Sequence, residues 1–448
     1  MKSYLGEWFN KLLLFGACST ITAMASAQSN AFSANEAVEY ALKNTVQVKN
    51  ALLAVQIQQQ TNREVTAAAY PQLTGNVGYT NYLNIPTSLL PAEFFGGQPG
   101  SYVPIRFGLK HNVNYGVDLN QLLFDGQVFI GLKARKTTID YAESGVEVTK
   151  EQIKANVFKI YYQILAGRQQ VETVNSNILR FEKLLSDTKE IYKNGFAEKL
   201  DVDKTDVLLT NLRTEKLKAE NQLQVAMQGL KLLMGMPAKN ELILKDSLPE
   251  QQFHEDVVDQ VYNYNDRKEY QQILLQEKLN AFNVRRYKLT YIPTVSINGN
   301  YTRNAQRTEF DIFKTGQPWF RTTYLGLKIA VPIFDGFARD SRIKKANLEL
   351  QQTENMRENL QLTIDKEVEE SRINLRTAIA SMDYQKKNMA LAESVYNQTN
   401  LKFGQGLGSN LEISTAQTEL STAQNNYYAA LYDAIIAKID YQRATGKL

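Results

Sequence analysis

The residue types that bind metals or transfer protons are scarce in this chain. Its 448 residues include two His and one Cys. The imidazoles, His111 and His254, are far apart in the sequence, and the His254-Glu255 pair lacks the second His of a metalloprotease helix. A His that opens a strand, as His111 is expected to do, is more typical of a rim residue than of a ligand. We therefore expect no metal site.

Two other patterns suggest chemistry but favour structural interpretations. Gly404, Gly406 and Gly408 alternate as in a phosphate-binding loop, but no strand precedes them and no Lys-Ser/Thr pair follows, so a turn between helices is indicated. Glu369 and Glu370 lie in a long polar segment, where a solvated helix face is expected rather than acid and base catalysis. The sequence thus predicts neither a catalytic site nor a cofactor.

The composition excludes several classes of protein. A mean hydropathy of -0.37 argues against a polytopic helical membrane protein, and 43% hydrophobic residues is too many for a disordered chain. The formal net charge is +4 and no basic tract is present, so no nucleic-acid partner is predicted. We expect a chain that folds mainly against water.

Residues 1–27 have the pattern of a secretory signal peptide. An apolar segment over 12–24 follows basic residues and leads to Ala25-Ser26-Ala27, which supplies small residues for cleavage. The segment is shorter than the roughly 20 residues that span a bilayer, so a retained anchor is the weaker alternative. Lipidation of Cys18 ranks below cleavage. Cleavage would remove that only thiol and leave an exported chain without disulfides.

The rest of the sequence consists of two copies of one unit. Four matches occur in the same order in both halves: 71–80 with 293–302, 122–126 with 332–336, 192–201 with 403–412, and Gly235 with Gly446. Ordered matches of this kind indicate an internal repeat. The units are predicted over 28–236 and 253–448, with a linker over 237–252.

Each unit contains two segments in which apolar and polar residues alternate, which predicts strands with one polar face. The strands are predicted over 72–83 and 108–121 in the first unit and over 294–303 and 322–333 in the second. Their length, about ten residues, is that of a membrane β-strand. Turn residues fill 84–106 and 304–321, which predicts two hairpins with long tips.

The remaining segments are predicted to be helical: 33–70, 127–192 and 198–234, then 254–291, 337–403 and 409–446. At 1.5 Å per residue, the helix over 127–192 could extend for roughly 95 Å. Apolar residues at 3-4 spacing, from Leu209 to Leu233 and from Ala416 to Ala434, predict coiled-coil seams. Periodicity alone leaves a solid helical bundle open as the alternative.

Four membrane strands cannot close a barrel by themselves. A spanning sheet leaves no edge in hydrocarbon, and the smallest such barrels have about eight strands. The chain is therefore expected to oligomerise. Two copies would give about eight strands and a filled interior, whereas three would give about twelve and a lumen. The polar strand faces favour the trimer.

Several motifs together carry a family resemblance. They are Phe32-Ser33-Ala34-Asn35-Glu36-Ala37-Val38 with Ala41-Leu42-Lys43-Asn44 at the start, Pro71 and Pro293 between helix and strand, the turns Phe124-Asp125-Gly126 and Phe334-Asp335-Gly336, and both helix tips. They are similar to the TolC family of outer-membrane efflux and secretion channels, and the resemblance covers essentially the whole mature chain.

The same motifs have physical roles. Ser33 and Glu36 predict a capping box. Asp125 and Asp335 are candidate caps for the helices that follow, and the glycines beside them, Gly126 and Gly336, would let strand turn into helix.

The resemblance implies a mainly α-helical fold with a β membrane part. A homotrimer would form a twelve-stranded transmembrane β-barrel, surrounded by outer-membrane lipid and continuous with a long periplasmic α-helical barrel. It would act as a passive exit duct coupled to a periplasmic adaptor protein and an inner-membrane transporter. The tips that would meet the adaptor correspond to Tyr192, Gly195, Phe196, Phe403, Gly404, Gly406, Gly408 and Leu411.

Two carboxylates match the pore constriction of the family by position. Three copies each of Asp201 and Glu412 would form rings that attract cations. The alternative is a first-turn carboxylate favoured by the helix macrodipole. Gly408 and Thr415 stand where the best-known member has an Arg and a second Asp, which indicates a looser or differently latched gate.

Two functions remain open from the residues themselves. One is a passive conduit, and the other is a periplasmic scaffold or adhesin-like spacer whose strands pack on its own helices. The long turn-rich tips favour the conduit. A wide lumen without binding chemistry is nearly indifferent to cargo, so drugs, metals and proteins all remain candidates.

Overall fold

A computed structural model of the protein describes residues 31–248 and 261–448. The predicted signal peptide over 1–27, Cys18 and His254 lie outside the described residues. Residues 254–260 of the helix predicted over 254–291 lie outside them as well. The described helix begins only at Lys268, after a 3₁₀ turn over Tyr264–Asp266, so the predicted helix start is wrong over 261–267. None of the helices in the described ranges is both long and apolar enough to cross a membrane.

The described chain alternates between long helices and a few strands. The helices are α1 (Ala34–Asn44), α2 (Val46–Ala67), α3 (Gly126–Lys193), α4 (Lys199–Met234), α5 (Lys268–Lys288), α6 (Ala338–Gly404) and α7 (Asn410–Ala444). The strands are β1 (Ala31–Phe32), β2 (Gln72–Asn81), β3 (Thr87–Pro91), β4 (Tyr102–Arg106), β5 (His111–Phe124), β6 (Ile243–Leu244), β7 (Thr294–Arg307) and β8 (Phe320–Ala330). The order repeats, as expected for a duplicated unit.

The duplication is visible in the helix lengths. In the first unit α3 has 68 residues and α4 has 36, while in the second α6 has 67 and α7 has 35. At 1.5 Å per residue, α3 and α6 are each about 100 Å long. Two tandem helix-hairpin and β-hairpin repeats are therefore confirmed.

The predicted helix over 33–70 is wrong as one element. It is two helices, because Thr45 has extended backbone (φ -63°, ψ 139°) between α1 and α2. Thr45 is buried where the Asn44 carbonyl passes the end of α4, and a Cβ on Gly235 would lie 2.8 Å from that oxygen. Packing breaks the helix here, without any Gly or Pro in the segment. The capping box of Ser33 and Glu36 is confirmed at the start of α1.

A four-stranded antiparallel sheet with the order β2-β5-β7-β8 joins the two units. Its register places Leu73 beside Leu119 and Ile297 beside Leu327, and this side of the sheet is called the apolar face. The opposite side, which carries Asp118 beside Asn300, is called the polar face. The strands β2 and β8 each have one neighbour, so the sheet is open at both edges.

None of the described helices packs on the four-stranded sheet. Every residue of β8 is exposed, and Leu325 on its apolar face is 76% exposed. The scaffold alternative required self-packed strands, so this geometry argues against it.

The strand bounds differ from the predicted ones at both ends of the sheet. At the loop end, β7 continues to Arg307 instead of ending at 303, and at the helix end β5 continues to Phe124 instead of ending at 121. The turn-rich segment over 84–106 also contains the hairpin of β3 and β4, which the sequence analysis missed. Its Pro and Gly residues predict turns, and for this reason the two strands of five residues each were not predicted.

The described part of the predicted linker over 237–252, residues 237–248, takes part in the core. Within it, β6 pairs in parallel with β1, and Asp246 accepts hydrogen bonds from the Ala34 N–H (2.7 Å) and the Tyr161 hydroxyl (3.1 Å). The Tyr161 hydroxyl also lies 2.9 Å from the Phe32 carbonyl oxygen. Burial raises the pKa of Tyr161, which keeps it protonated as a donor. The linker thereby fixes α1 against α3.

An Arg plays the corresponding role in the second unit. Arg267 is buried at the start of α5, and its guanidinium donates to Glu367 on α6 (2.9 Å) and to the Ala444 carbonyl at the end of α7 (3.1 Å). A second carboxylate, Glu269, lies 3.3 Å away. One charged group therefore holds three helices together, and its burial is offset by paired hydrogen bonds.

The strand-to-helix junctions differ between the units. Asp125 caps α3 by accepting a hydrogen bond from the Gln127 N–H (2.7 Å). Asp335 instead accepts from the Arg339 N–H (3.0 Å), inside the first turn of α6. Gly336 has a φ of +66°, the conformation that glycine favours. Gly126 does not have a positive φ. A glycine is needed at this position because a side chain would collide with Leu289.

We predict that Gly126→Ala destabilises the protein. A Cβ there would lie 2.8 Å from the Leu289 Cβ, so the junction must shift at a cost of about 1–3 kcal/mol. The matched control is Gly131→Ala in the same helix, where the added Cβ would meet Val65 at an ordinary 3.5 Å and should stabilise by about 0.5–1 kcal/mol. Thermal unfolding of the detergent-extracted protein measures both, and equal effects would contradict the close-packing argument.

Candidate functional site

The two ends where long helices reverse direction have the same local structure. At the first tip, Gly195 has a φ of +81°, its N–H donates to the Tyr192 carbonyl (2.9 Å), and the Phe196 N–H donates to the Ile191 carbonyl (3.0 Å). This pair of bonds is a Schellman motif, which ends a helix with a left-handed residue. Glycine is required because the positive φ strains any residue with a Cβ.

The second tip repeats the motif. Gly406 has a φ of +73°, its N–H donates to the Phe403 carbonyl (2.9 Å), and the Leu407 N–H donates to the Lys402 carbonyl (2.9 Å). The prediction of a helix-helix turn at the alternating glycines therefore matches the observed backbone. Gly408 is needed for space, because a Cβ would lie 3.1 Å from the Phe403 nitrogen.

The predicted tip residues divide into exposed and packed side chains. Phe196 is 86% exposed, Leu411 68% and Tyr192 44%. Phe403 instead packs against the apolar cluster beneath the tips, and Gly404 has open space around it. The exposed group alone presents an apolar surface to a partner.

The cluster beneath the tips joins both helix pairs. Its buried members come from α3, α4 and α7: Val174, Ile178, Phe181, Leu184, Leu185, Leu209, Leu212 and Ile413. A shared core of this kind makes the two tips one rigid platform.

A polar residue that the sequence analysis missed links the tips directly. Asn410, the first residue of α7, donates to the Asp201 carbonyl and the Thr205 hydroxyl, each at 3.2 Å. Its side-chain carbonyl accepts from the Thr188 hydroxyl at 3.2 Å. All of the side-chain polar groups of Asn410 thus contact α3 or α4. An Asn at a helix start usually indicates a local cap, so no sequence pattern signals this long-range role.

The two predicted constriction carboxylates have different surroundings. Asp201 forms a capping box with Glu198, whose N–H lies 3.3 Å from the Asp201 carboxylate. Glu412 is exposed and its nearest cation, the Lys402 ammonium, is 3.9 Å away. Both carboxylates lie in the first turn of a helix, as the structural alternative requires, and Asp201 differs from Glu412 in making this additional hydrogen bond to the backbone.

An open groove of about 440 Å³ lies beside these carboxylates. It runs between the starts of α4 and α7 and is lined by Leu200, Val207 and Leu411 as well as Asp201 and Asn410. Leu200 and Val207 are exposed there. Apolar walls with a few polar groups are typical of a docking groove.

The polar face of the sheet carries a second arrangement of polar groups. The Asn300 amide donates to one oxygen of Asp118 (2.6 Å), and the Asn76 amide donates to the other. Asp118 is thereby held at the middle of the face. In the described ranges, no three His, Cys, Asp or Glu side chains group closely enough to hold a metal ion.

His111 lies at the loop end of the sheet, where β5 begins. Its Nδ1 is 2.8 Å from the Tyr79 hydroxyl, and Phe310 from the loop between β7 and β8 packs edge-on against the imidazole ring. The arrangement ties the two hairpins together at the rim.

Comparison with known proteins places this geometry in a family. The family described as outer membrane efflux protein matches residues 37–236 and 281–447. The outer membrane protein TolC of Vibrio cholerae is 19% identical over 74% of this chain and 76% of its own length. The protein CyaE of Bordetella pertussis is 25% identical over 72% of this chain and 68% of its own length.

A solved structure shows the same fold. The outer membrane protein VceC of Vibrio cholerae aligns with a TM-score of 0.71 over 92% of this chain and 96% of its own, at 15% identity. At that identity the likeness concerns the fold.

We predict that Asn410→Ala loosens the tips while leaving the helices intact. The substitution removes the three hydrogen bonds to α3 and α4, at a cost of about 1–3 kcal/mol. Hydrogen exchange of the amides in the first turns of α4 should accelerate. Asn400→Ala, at an exposed position on α6, is the control and should leave that exchange unchanged. Unchanged exchange in Asn410→Ala would show that the apolar cluster alone holds the tips.

Proposed function

This chain belongs to the outer membrane efflux protein family, and we propose that it is the outer-membrane exit duct of an efflux or secretion system. It would be a passive conduit with no catalysis of its own. The observation that carries the proposal is the open four-stranded sheet, which has one exposed apolar face and one polar face and continues directly into helices about 100 Å long.

The open edges of the sheet support a homotrimer. Unpaired backbone groups of β2 and β8 cannot remain in hydrocarbon, where each costs several kcal/mol. Pairing β2 of one copy with β8 of the next closes the barrel without a new structural element. Three copies give about twelve strands and a lumen lined by the polar faces. That barrel would cross the outer membrane, and the helices would extend into the periplasm.

The opposite end is proposed to meet a periplasmic adaptor protein that connects the duct to an inner-membrane transporter. The exposed tip side chains and the groove between α4 and α7 support this assignment, since both are apolar and both lie at the end farthest from the sheet.

One relative named for protease secretion, PrtF of Dickeya chrysanthemi, suggests secreted protein as one class of cargo.

Asp201 and Glu412 are proposed to narrow the pore at the same end. They lie in the first turns of α4 and α7, next to the tips. In a trimer, three copies of each would attract cations into the constriction. Asp201 would also stabilise the start of its helix.

Replacing both tip glycines by Pro, Gly195→Pro with Gly406→Pro, is expected to abolish export. Proline fixes φ near -65° and has no N–H, whereas both positions have positive φ and donate to a carbonyl. Export would be measured in cells deleted for the native gene, through dye efflux and secreted protein. Cross-linking should still yield trimers in the outer-membrane fraction.

The control for this variant is Gly316→Pro, which imposes the same strain (φ +86°) in the loop at the other end of the molecule. It should retain export. Undiminished export in the double variant would refute the docking assignment, and loss in the control would show that strain anywhere in the chain is sufficient.

The combined variant Asp201→Asn with Glu412→Gln should weaken block of the channel by a trivalent cation. The blocking concentration is expected to rise on the order of tenfold, because six carboxylates leave the constriction of a trimer. Current through single channels in planar bilayers measures the effect. Glu419→Gln is the control, since it lies on α7 about 10 Å farther from the tip. An equal effect of Glu419→Gln would place the constriction elsewhere.

A further inference from the structure

The charged residues of the four-stranded sheet are distributed unevenly between its faces. In β2, β5, β7 and β8, the polar face carries Asp118 and Lys328, whereas the charged residues of the apolar face are Arg303, Arg307 and Arg321. All three arginines lie toward the loop end of their strands. The apolar face therefore has a cationic rim and no carboxylate within these strands.

Two of these arginines are direct cross-strand partners. The register of β7 and β8 pairs Arg303 with Arg321, and like charges directly opposite each other destabilise a sheet. Both side chains are exposed. Within the described residues neither is paired with a carboxylate, and the Arg303 Nε donates to the Tyr301 hydroxyl (3.1 Å). The pair has the charge and the free donors to hold an anion between the two guanidinium groups.

The third arginine, Arg307, already has partners within the chain. The Arg307 guanidinium donates to the Pro318 carbonyl (2.8 Å) and lies 3.4 Å from Asp311. Arg307 therefore anchors the loop between β7 and β8. The arginines of this face that have no carboxylate partner within the described residues are Arg303 and Arg321.

The pair lies at the height of a membrane surface. Arg303 is nine residues from Thr294, the helix-side end of β7, which is about 31 Å along a strand and about 23 Å in height at a tilt near 40°. The apolar band of membrane barrels is about 25 Å tall. Aromatic rings surround the pair, and Tyr115 contacts Trp319 at 5.1 Å, as in the girdles that mark the interface.

We propose that Arg303 and Arg321 bind a phosphate group of a lipid in the outer leaflet. This inference rests on the proposed function, which puts the apolar face against lipid. Guanidinium groups bind phosphate through paired, charge-assisted hydrogen bonds, and a phosphate between them removes their mutual repulsion. The adjacent apolar side chains of β7 and β8 contact the acyl chains of the same lipid, which favours a lipid over a soluble anion.

The test measures binding of diphosphoryl lipid A to the full-length protein in detergent by native mass spectrometry. The same lipid without its phosphates is the comparison ligand. Native protein should bind the phosphorylated form preferentially, and Arg303→Gln with Arg321→Gln should weaken that binding about tenfold or more. Arg303→Lys with Arg321→Lys should retain part of it, since charge remains but the planar fork is lost.

The matched control is Lys328→Gln, which removes a charge from the same strand on the polar face and should bind like the native protein. Equal binding by the Gln double variant would overturn the proposal. Equal loss in Lys328→Gln would do the same, because net charge would then explain the binding. Displacement of the lipid by inorganic phosphate at similar concentration would identify a soluble-anion site instead.

The outcome is separable from that of the proposed function. If the native protein is trimeric in the outer-membrane fraction and the Gln double variant still binds the lipid normally, only the phosphate site is wrong. If the native protein is absent from that fraction, the exit duct and the phosphate site both fail.

Discussion

Backbone groups at the edge of a sheet cannot face hydrocarbon unpaired, and the organisation of this protein follows from that constraint. One chain supplies four strands with two open edges. Within residues 31–248 and 261–448, no helix packs on β8, every residue of which is exposed. In the proposed trimer, the edge of a second copy would satisfy these backbone groups. The lumen would then form only in the assembly, and one protomer would supply a third of its wall.

The long helices connect the sheet to the tips at the other end of the molecule. Each strand pair leads into a helix of nearly 70 residues, and the junctions are fixed by Asp125 and by the close contact of Gly126 with Leu289. Near the middle, Asp246 and Arg267 bind helix ends that the sequence keeps far apart. At the tips, Asn410 joins α7 to α3 and α4. Polar contacts thus set the relative positions of helices whose apolar seams alone would allow sliding.

The two faces of the sheet carry few charged side chains, and other charged groups lie at the helix tips. The polar face holds one carboxylate, Asp118, between two amides. The apolar face holds its free arginines only at the rim. Further carboxylates lie at the tips, where Glu412 is exposed. In the proposed duct, a wide passage with weak chemistry along its length would leave selection to the constriction at the tips and to the partner proteins that dock there.

Local patterns in the sequence determined the repeat, the four strands with their two faces, the long helices and the Schellman turns at Gly195 and Gly406, because each depends on residues within a few positions of one another. Tertiary structure decided the break at Thr45, the role of the linker strand β6 and the contacts of Asn410. These depend on residues some 200 positions apart, and no spacing rule within one segment can reveal which distant helix end a polar side chain will meet.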